Sequence, residues 1–178
     1  MDIKKTIATI NQMREEGVIG QYAIGGAVGA TFYLEPADTK DVDVFVMFKP
    51  KAGQLIVDYT PIYDWLSANN FHFIEVDGKK TEYIEIAGWP VQFLPADKPL
   101  YQEAFEQSVG KSFEDIPVRV FSAEHLAAIA LEVGRAKDKA RLLHFHEAGV
   151  LEKERFHSIL ERNHLLDRWE EFKKQFNI

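Results

Sequence analysis

Ile3, Ile7, Ile10 and Met13 recur three or four residues apart, which puts them on one face of a helix over residues 2–16, and Gly17 supplies the stop. Residues 21–24 read as a short strand running into Gly25-Gly26. Residues 27–34 contain no breaker except Gly29 and read as a second helix, followed by a loop through Glu35, Pro36, Ala37, Asp38 and Thr39. Residues 41–48 alternate yet are apolar on both faces after their start, the pattern of a strand central in a sheet and covered on both sides. Thr60-Pro61 then opens a helix, with Thr60 as cap and the proline at the first helical position, and Ile62, Trp65 and Leu66 form its apolar face.

Residues 71–76 and 81–86 flank Asp77-Gly78, a strong two-residue hairpin signal, and Ala87-Gly88 makes a second tight connection into a strand over 90–94. The character changes after 118–121. Ser122 caps a helix from 123 to about 134, residues 135–148 continue or restart it, and amphipathic segments follow near 152–163 and 165–176. In the last segment Leu165, Trp169, Phe172 and Phe176 fall at helical spacing. Trp65, Trp89 and Trp169 read as packing anchors. The pattern predicts an α+β protein: a mixed-sheet core over 1–121 and a helical part over 122–178, packed as one compact unit. A chain of 178 residues suits that, since it buries roughly two-thirds of its unfolded surface.

Composition narrows the function classes. With no cysteine the chain has no disulfide, no thiolate-bound zinc and no thiol nucleophile. Its 21 basic and 28 acidic residues leave a net charge of −7, which argues against a broad surface for duplex nucleic acid. No run of about 18 apolar residues predicts a membrane span. The first residues lack the apolar stretch of a signal peptide, so a cytoplasmic protein is expected.

Two features carry candidate chemistry. Gly25-Gly26 lies where a strand turns into a helix, and glycines there let a backbone approach an anion such as phosphate, although glycine pairs also simply make turns. Asp41 and Asp43 start an otherwise apolar strand, and their spacing of two points both carboxylates to one face. On a buried strand such a pair calls for a cation, and Mg²⁺ takes few carboxylates and completes its shell with water and phosphate. A frayed, solvated strand end is the alternative. His144 and His146, two apart on a helix, point in different directions and do not read as a metal site, and Ser122 reads as a cap rather than a nucleophile.

Taken together, strand, Gly-Gly, helix, loop and Asp-Val-Asp form an arrangement for gripping a nucleoside triphosphate. The sequence resembles the polymerase-beta-type nucleotidyltransferases, whose signature is Gly-Gly or Gly-Ser followed some 10–16 residues later by Asp-hydrophobic-Asp; here Gly26 and Asp41 are 15 apart. GWPVQFLPA and ALEVGRAKDKARL resemble the small bacterial AbiEii-type and minimal nucleotidyltransferases, so the likeness covers about residues 18–145. The resemblance implies the family's mixed sheet flanked by helices, a Mg²⁺ site at Asp41 and Asp43, terminal phosphates on Gly25 and Gly26, and Thr39 and Lys40 at the entrance. It implies transfer of a nucleoside monophosphate to a hydroxyl on an acceptor that is a small molecule, a protein or an RNA.

The chain departs from that family twice. Where a third carboxylate is usual, the strand over 90–94 carries Gln92, for which Glu82 or Glu85 would have to substitute. Where relatives have a lysine, it has Ala130. Arg135, Lys137, Lys139 and Arg141 crowd seven residues, and helical spacing predicts Lys137 and Arg141 on one face and Arg135 and Lys139 on another. The resemblance gives Lys137 the triphosphate, while Asp138 offers an internal partner. A second class of function stands beside the transferase: a catalytically weakened module that binds nucleotide or a protein partner. A growth-arresting toxin with an antitoxin partner is a subclass of the first.

Overall fold

The computed structural model describes residues 1–35, 39–47 and 58–178. Pro36, Ala37 and Asp38 of the expected loop, and Phe48 at the end of the expected strand, lie outside the described residues. The elements run α1 (Ile3–Glu15), β1 (Tyr22–Ile24), α2 (Gly26–Ala30), β2 (Val42–Val46), α3 (Thr60–Ala68), β3 (His72–Val76), β4 (Lys79–Ile86) and β5 (Trp89–Pro95). They continue with α4 (Pro99–Glu106), β6 (Val109–Phe113), β7 (Ile116–Val120), α5 (Ala123–Val133), α6 (Ala136–Glu147), α7 (Lys153–Arg162) and α8 (Leu166–Phe176). The protein is α+β, a mixed seven-stranded sheet in the order β3-β4-β5-β2-β1-β7-β6 with helices on both faces.

β2 is the middle strand, as its apolar run predicts, with Val42 and Val44 fully buried. Its neighbours set up everything that follows. β1 runs antiparallel to it, Ile24 opposite Val44, so the end of β1 meets the start of β2. β5 runs parallel on the other side, with Asp43 in register with Gln92. Side chains alternate across this sheet. Val42, Val44, Val46, Val91, Phe93, Ile84 and Ile86 point to the face covered by Ile7, Ile10 and Met13 of α1 and Ile62 and Leu66 of α3. Ala23 and Phe45 point to the opposite face, where they join a core made with α4 through α8.

Both hairpins form on their expected turns: Asp77 and Gly78 have φ of 52° and 71°, Ala87 and Gly88 of 53° and 83°, the left-handed pairs that match strand twist. α2 is shorter than expected. It caps at Thr31, whose hydroxyl donates to the Val28 carbonyl at 2.7 Å, and the chain turns from there. α3 has Thr60 inside the helix rather than capping it; Tyr59 is the cap, and the Thr60 N–H is satisfied by the Asp58 carboxylate at 3.0 Å. Residues 96–117, for which no element is predicted from the sequence, form α4 and the edge strand β6. β6 (VGKSF) is exposed at its centre and shows no alternation, so it depends on pairing with β7 rather than on its own pattern.

Gly134, at φ 71°, ends α5, and Arg135 restarts the chain as the cap of α6. Ser122 caps α5 as predicted, accepting from the His125 N–H, and its hydroxyl also lies 2.8 Å from His125 Nδ1. His125 is fully buried, and burial holds its imidazole below the usual range. Its Nε2 faces Glu103 of α4 at 3.5 Å, and Glu103 accepts from Arg162 and Asn163 at the end of α7. This chain of polar groups pins three helices together.

Ser122→Ala removes a helix cap and strands a buried imidazole nitrogen. We expect a loss of about 1–3 kcal/mol in urea unfolding with an unchanged slope; Ser122→Thr, which keeps the hydroxyl, recovers most of it.

Candidate active site

The antiparallel pairing of β1 with β2 brings the Gly-Gly turn and the aspartates together, although 15 residues separate Gly26 from Asp41. A cleft of about 730 Å³ opens there, between the sheet face carrying Asp41, Asp43 and Gln92 and the helices α5 and α6. Gly26, Thr39, Lys40, Asp41, Asp43 and Lys137 all line it. Gly25 does not. Its N–H donates to the Asp43 carbonyl at 3.0 Å, and a Cβ there would meet the Phe45 ring at 2.5 Å, so this glycine is needed for packing behind the cleft.

Gly26 plays another part. Its φ is +56°, and a Cβ on it would fall 2.0 Å from Asp43 Oδ2. The Asp43 carboxylate therefore sits against the start of α2, where the first helical amides lack intrahelical acceptors. Burial and the Asp41 charge push the Asp43 carboxyl up to about 6, against the downward pull of Arg141, Lys137 and Arg135. Thr39 turns its hydroxyl to the Asp41 carbonyl at 3.2 Å, fixing the approach to the strand.

Two carboxylates on one face, one of them raised by burial and by its neighbour's charge, form a site that a hard cation would relieve. The donor set is all oxygen, and among the described residues no group of three His, Cys, Asp or Glu converges. That suits Mg²⁺ with open positions for water and phosphate rather than a closed structural site.

Gln92, in register with Asp43, faces the cleft beside it, at the place where the family resemblance implies a third carboxylate. Neither Glu82 nor Glu85 lines the cleft, so neither fills that role. Tyr83 comes from β4 instead, its hydroxyl 3.5 Å from Asp41 Oδ2. Its phenol is raised, by burial first and then by the two aspartates, so it stays protonated and donates. The strand's phase alone did not reveal Tyr83, because which face of β4 meets the cleft depends on its pairing with β5.

The α6 cations divide differently from their helical spacing. Arg135 lies at the cap, outside the helix, and joins Lys137 and Arg141 in the cleft. Lys139 turns away and donates to Gln175 on α8 at 2.9 Å. His144 reaches the cleft while His146 packs on Trp169, so the two histidines diverge as their spacing predicts.

No protein-family model and no curated protein matches the chain. Solved structures do. An antigenic nucleotidyltransferase-like protein from Paracoccidioides brasiliensis superposes with TM-score 0.55 at 16% identity, over 79% of this chain and 73% of that one. ANT(2″)-Ia in complex with adenylyl-2″-tobramycin gives 0.55 at 14% identity, over 92% and 98% of the two chains. The solution structure of the antibiotic-resistance factor ANT(2″)-Ia gives 0.54 at 15% identity, over 99% of each.

The raised Asp43 carboxyl has a stability consequence with a definite sign. The fold prefers the neutral form, so this group's contribution is present below the unfolded value of about 3.8 and lost as pH rises through about 6. In metal-free protein, Asp43→Asn should therefore raise stability by about 1–3 kcal/mol at about pH 8 and by about half as much at about pH 5. Urea midpoints at the two pH values read the difference, and an equal gain at both would contradict the assignment.

At these identities the likeness to the solved structures is one of fold: this chain shares its mixed-sheet α+β architecture with the nucleotidyltransferase-like protein and with ANT(2″)-Ia.

Proposed function

We propose that the protein is a Mg²⁺-dependent nucleotidyltransferase, moving a nucleoside monophosphate from a nucleoside triphosphate to a hydroxyl on an acceptor. The observation that carries the reading is the pairing of Asp41, just before the central strand β2, with Asp43 inside it, Asp43 lying against the start of α2 and both lining a cleft shared with Lys137. Asp41 and Asp43 are the metal ligands; Mg²⁺ bound there supplies charge neutralisation at the phosphates. The start of α2 at Gly26 receives the terminal phosphates, with Gly25 setting the turn. Lys137 offsets charge that develops on the leaving pyrophosphate. Thr39 and Lys40 border the entrance. The acceptor hydroxyl attacks the α-phosphorus as the bond to pyrophosphate breaks. In this reading the 1–121 core holds the metal and the 122–178 part supplies the cation.

The GWPVQFLPA and GRAKDKARL strings favour an AbiEii-type or minimal nucleotidyltransferase, a cytoplasmic enzyme whose toxin-like members would be held by an antitoxin. A small molecule is one acceptor class, as with the adenylyl-tobramycin named for one structural neighbour; a protein hydroxyl and an RNA end are the others. Among the described residues no helix is long and apolar enough to cross a membrane. Gln92 beside Asp43 favours a second reading, a weakened module that keeps nucleotide or a protein partner without turnover.

Calorimetric titration of each nucleoside triphosphate, with and without Mg²⁺, tests the assignment. Wild type should bind a triphosphate at least about 30-fold more tightly with the metal than without it. Asp43→Asn should lose at least about 30-fold in affinity and Lys137→Gln about 10-fold, the worth of one charge-assisted hydrogen bond. Affinity should fall as pH drops through about 6, since a proton then occupies Asp43. Binding of no triphosphate would sink both the transferase and the nucleotide-binding module and leave a protein partner. Metal-dependent binding without label transfer from the α-phosphate to any acceptor would favour the second reading.

A further inference from the structure

The start of α6 carries more than one cation into the cleft, and a buried carboxylate organises them. Asp138 is 2% exposed. Arg135 grips it twice, Nε to Oδ2 at 2.6 Å and Nη2 to Oδ1 at 3.3 Å. Arg141, one turn along the helix, holds Nη1 3.6 Å from Oδ1. A single buried aspartate thus sits between two guanidiniums whose side chains both border the cleft. An arginine has five N–H donors in a planar fork, and the pairing with Asp138 uses at most two of Arg135's. The remaining donors are available to a second anion.

What faces them is the aspartate pair. Arg135, Lys137 and Arg141 line the same cleft as Asp41 and Asp43 and pull the Asp43 carboxyl down against its burial. Asp138 cancels one of the three cations, which leaves a local surplus of positive charge opposite the metal-binding face. A phosphate chain anchored at Asp41 and Asp43 has its far end in this field. Among the described residues Lys137 makes no ion pair, and Lys139, the fourth cation of the run, is turned away to α8.

We propose that Asp138 is a positioning residue that splays Arg135 and Arg141 into a fork for the pyrophosphate portion of the nucleotide, and that this fork also binds free inorganic pyrophosphate after transfer. The proposal rests on the nucleotidyl-transfer reading for its place in the reaction, while the anion site itself rests on the fork. The guanidiniums contact the β and γ phosphate oxygens; Asp138 touches neither and acts by keeping both arginines aimed at them. The fork distinguishes nucleotides by phosphate number and not by base.

The test is calorimetric titration of metal-free protein with inorganic pyrophosphate, a nucleoside triphosphate and the matching monophosphate. Leaving out Mg²⁺ separates the fork from the aspartates. Wild type should bind pyrophosphate. Arg135→Gln and Arg141→Gln should each weaken pyrophosphate by at least about 10-fold and the monophosphate by less than about 2-fold. Asp138→Asn should weaken pyrophosphate similarly although both arginines remain, and Asp138→Glu should recover part of it. The Arg135 side chain is 62% exposed, so Arg135→Gln disturbs packing less than a change at buried Asp138; if Asp138→Asn does not fold, the arginine variants decide the fork and Asp138→Glu decides the positioning role. Wild type that ignores pyrophosphate, arginine variants that bind it normally, or equal losses for pyrophosphate and monophosphate would each overturn the fork. If Mg²⁺-dependent triphosphate binding through Asp43 survives any of those results, the transferase reading stands without it. If pyrophosphate binds through the fork but no triphosphate binds with Mg²⁺, the anion site stands and the transferase reading falls.

Discussion

Two carboxylates side by side at the start of the central strand of a sheet, Asp41 just before it and Asp43 within it, are the constraint to which this cleft answers. Asp41 and Asp43 cannot both be ionised in a poorly hydrated site without cost, and the Asp43 carboxyl is held up near 6 as a result. Nearby features reduce that cost. Gly26 has no Cβ, so Asp43 can rest against the beginning of α2. The Tyr83 phenol, kept protonated by burial and by the same charges, points a donor at Asp41. Three cations at the start of α6 pull against the shift from across the cleft. A core strand gains stability from wholly apolar residues, so keeping this pair is a cost to the fold that makes sense where a cation and phosphates are to be gathered.

The sheet order converts that local strain into a site. Because β1 is antiparallel to β2, the Gly-Gly turn arrives at the end of β2 that carries the aspartates. Because β5 is parallel to β2, it delivers Gln92 to the same point on the opposite side. An amide there adds no negative charge, which spares the aspartate pair a third repulsive partner and also removes the nearest strand position from which a base could act. The two faces of the sheet are thereby specialised. One is a dry core against α1 and α3; the other is shared between the cleft and the packing of α4 through α8.

The helical part contributes both rigidity and charge. The Ser122–His125–Glu103 chain ties α5 to α4 and α7 and lies well inside the protein, with His125 fully buried. The break at Gly134 is as consequential as any strand pairing. It takes Arg135 out of the helical repeat, so its side chain joins Lys137 and Arg141 in the cleft instead of following Lys139 toward α8.

Local chemistry was enough for the sequence to determine the strands and helices with a strong period or a punctuating residue: the central apolar strand, the Asp77-Gly78 hairpin, the Ser122 cap and the amphipathic helices of the last third. Asp41 and Asp43 were legible because a spacing of two on a strand puts both on one face whatever the strand pairs with. Gly25 and Gly26 looked alike in the sequence, and only the tertiary structure separated them, one packing under Phe45 and Phe121 and the other lying against Asp43. The exposed β6 left little periodic signal, since it is stabilised by its neighbour, whereas α4 is short yet places Leu100, Ala104 and Phe105 on one buried face behind Pro99. Tyr83 and the arginine fork were decided by strand register and by a helix break, which depend on contacts between residues distant in the chain. No pattern within a single segment records such contacts.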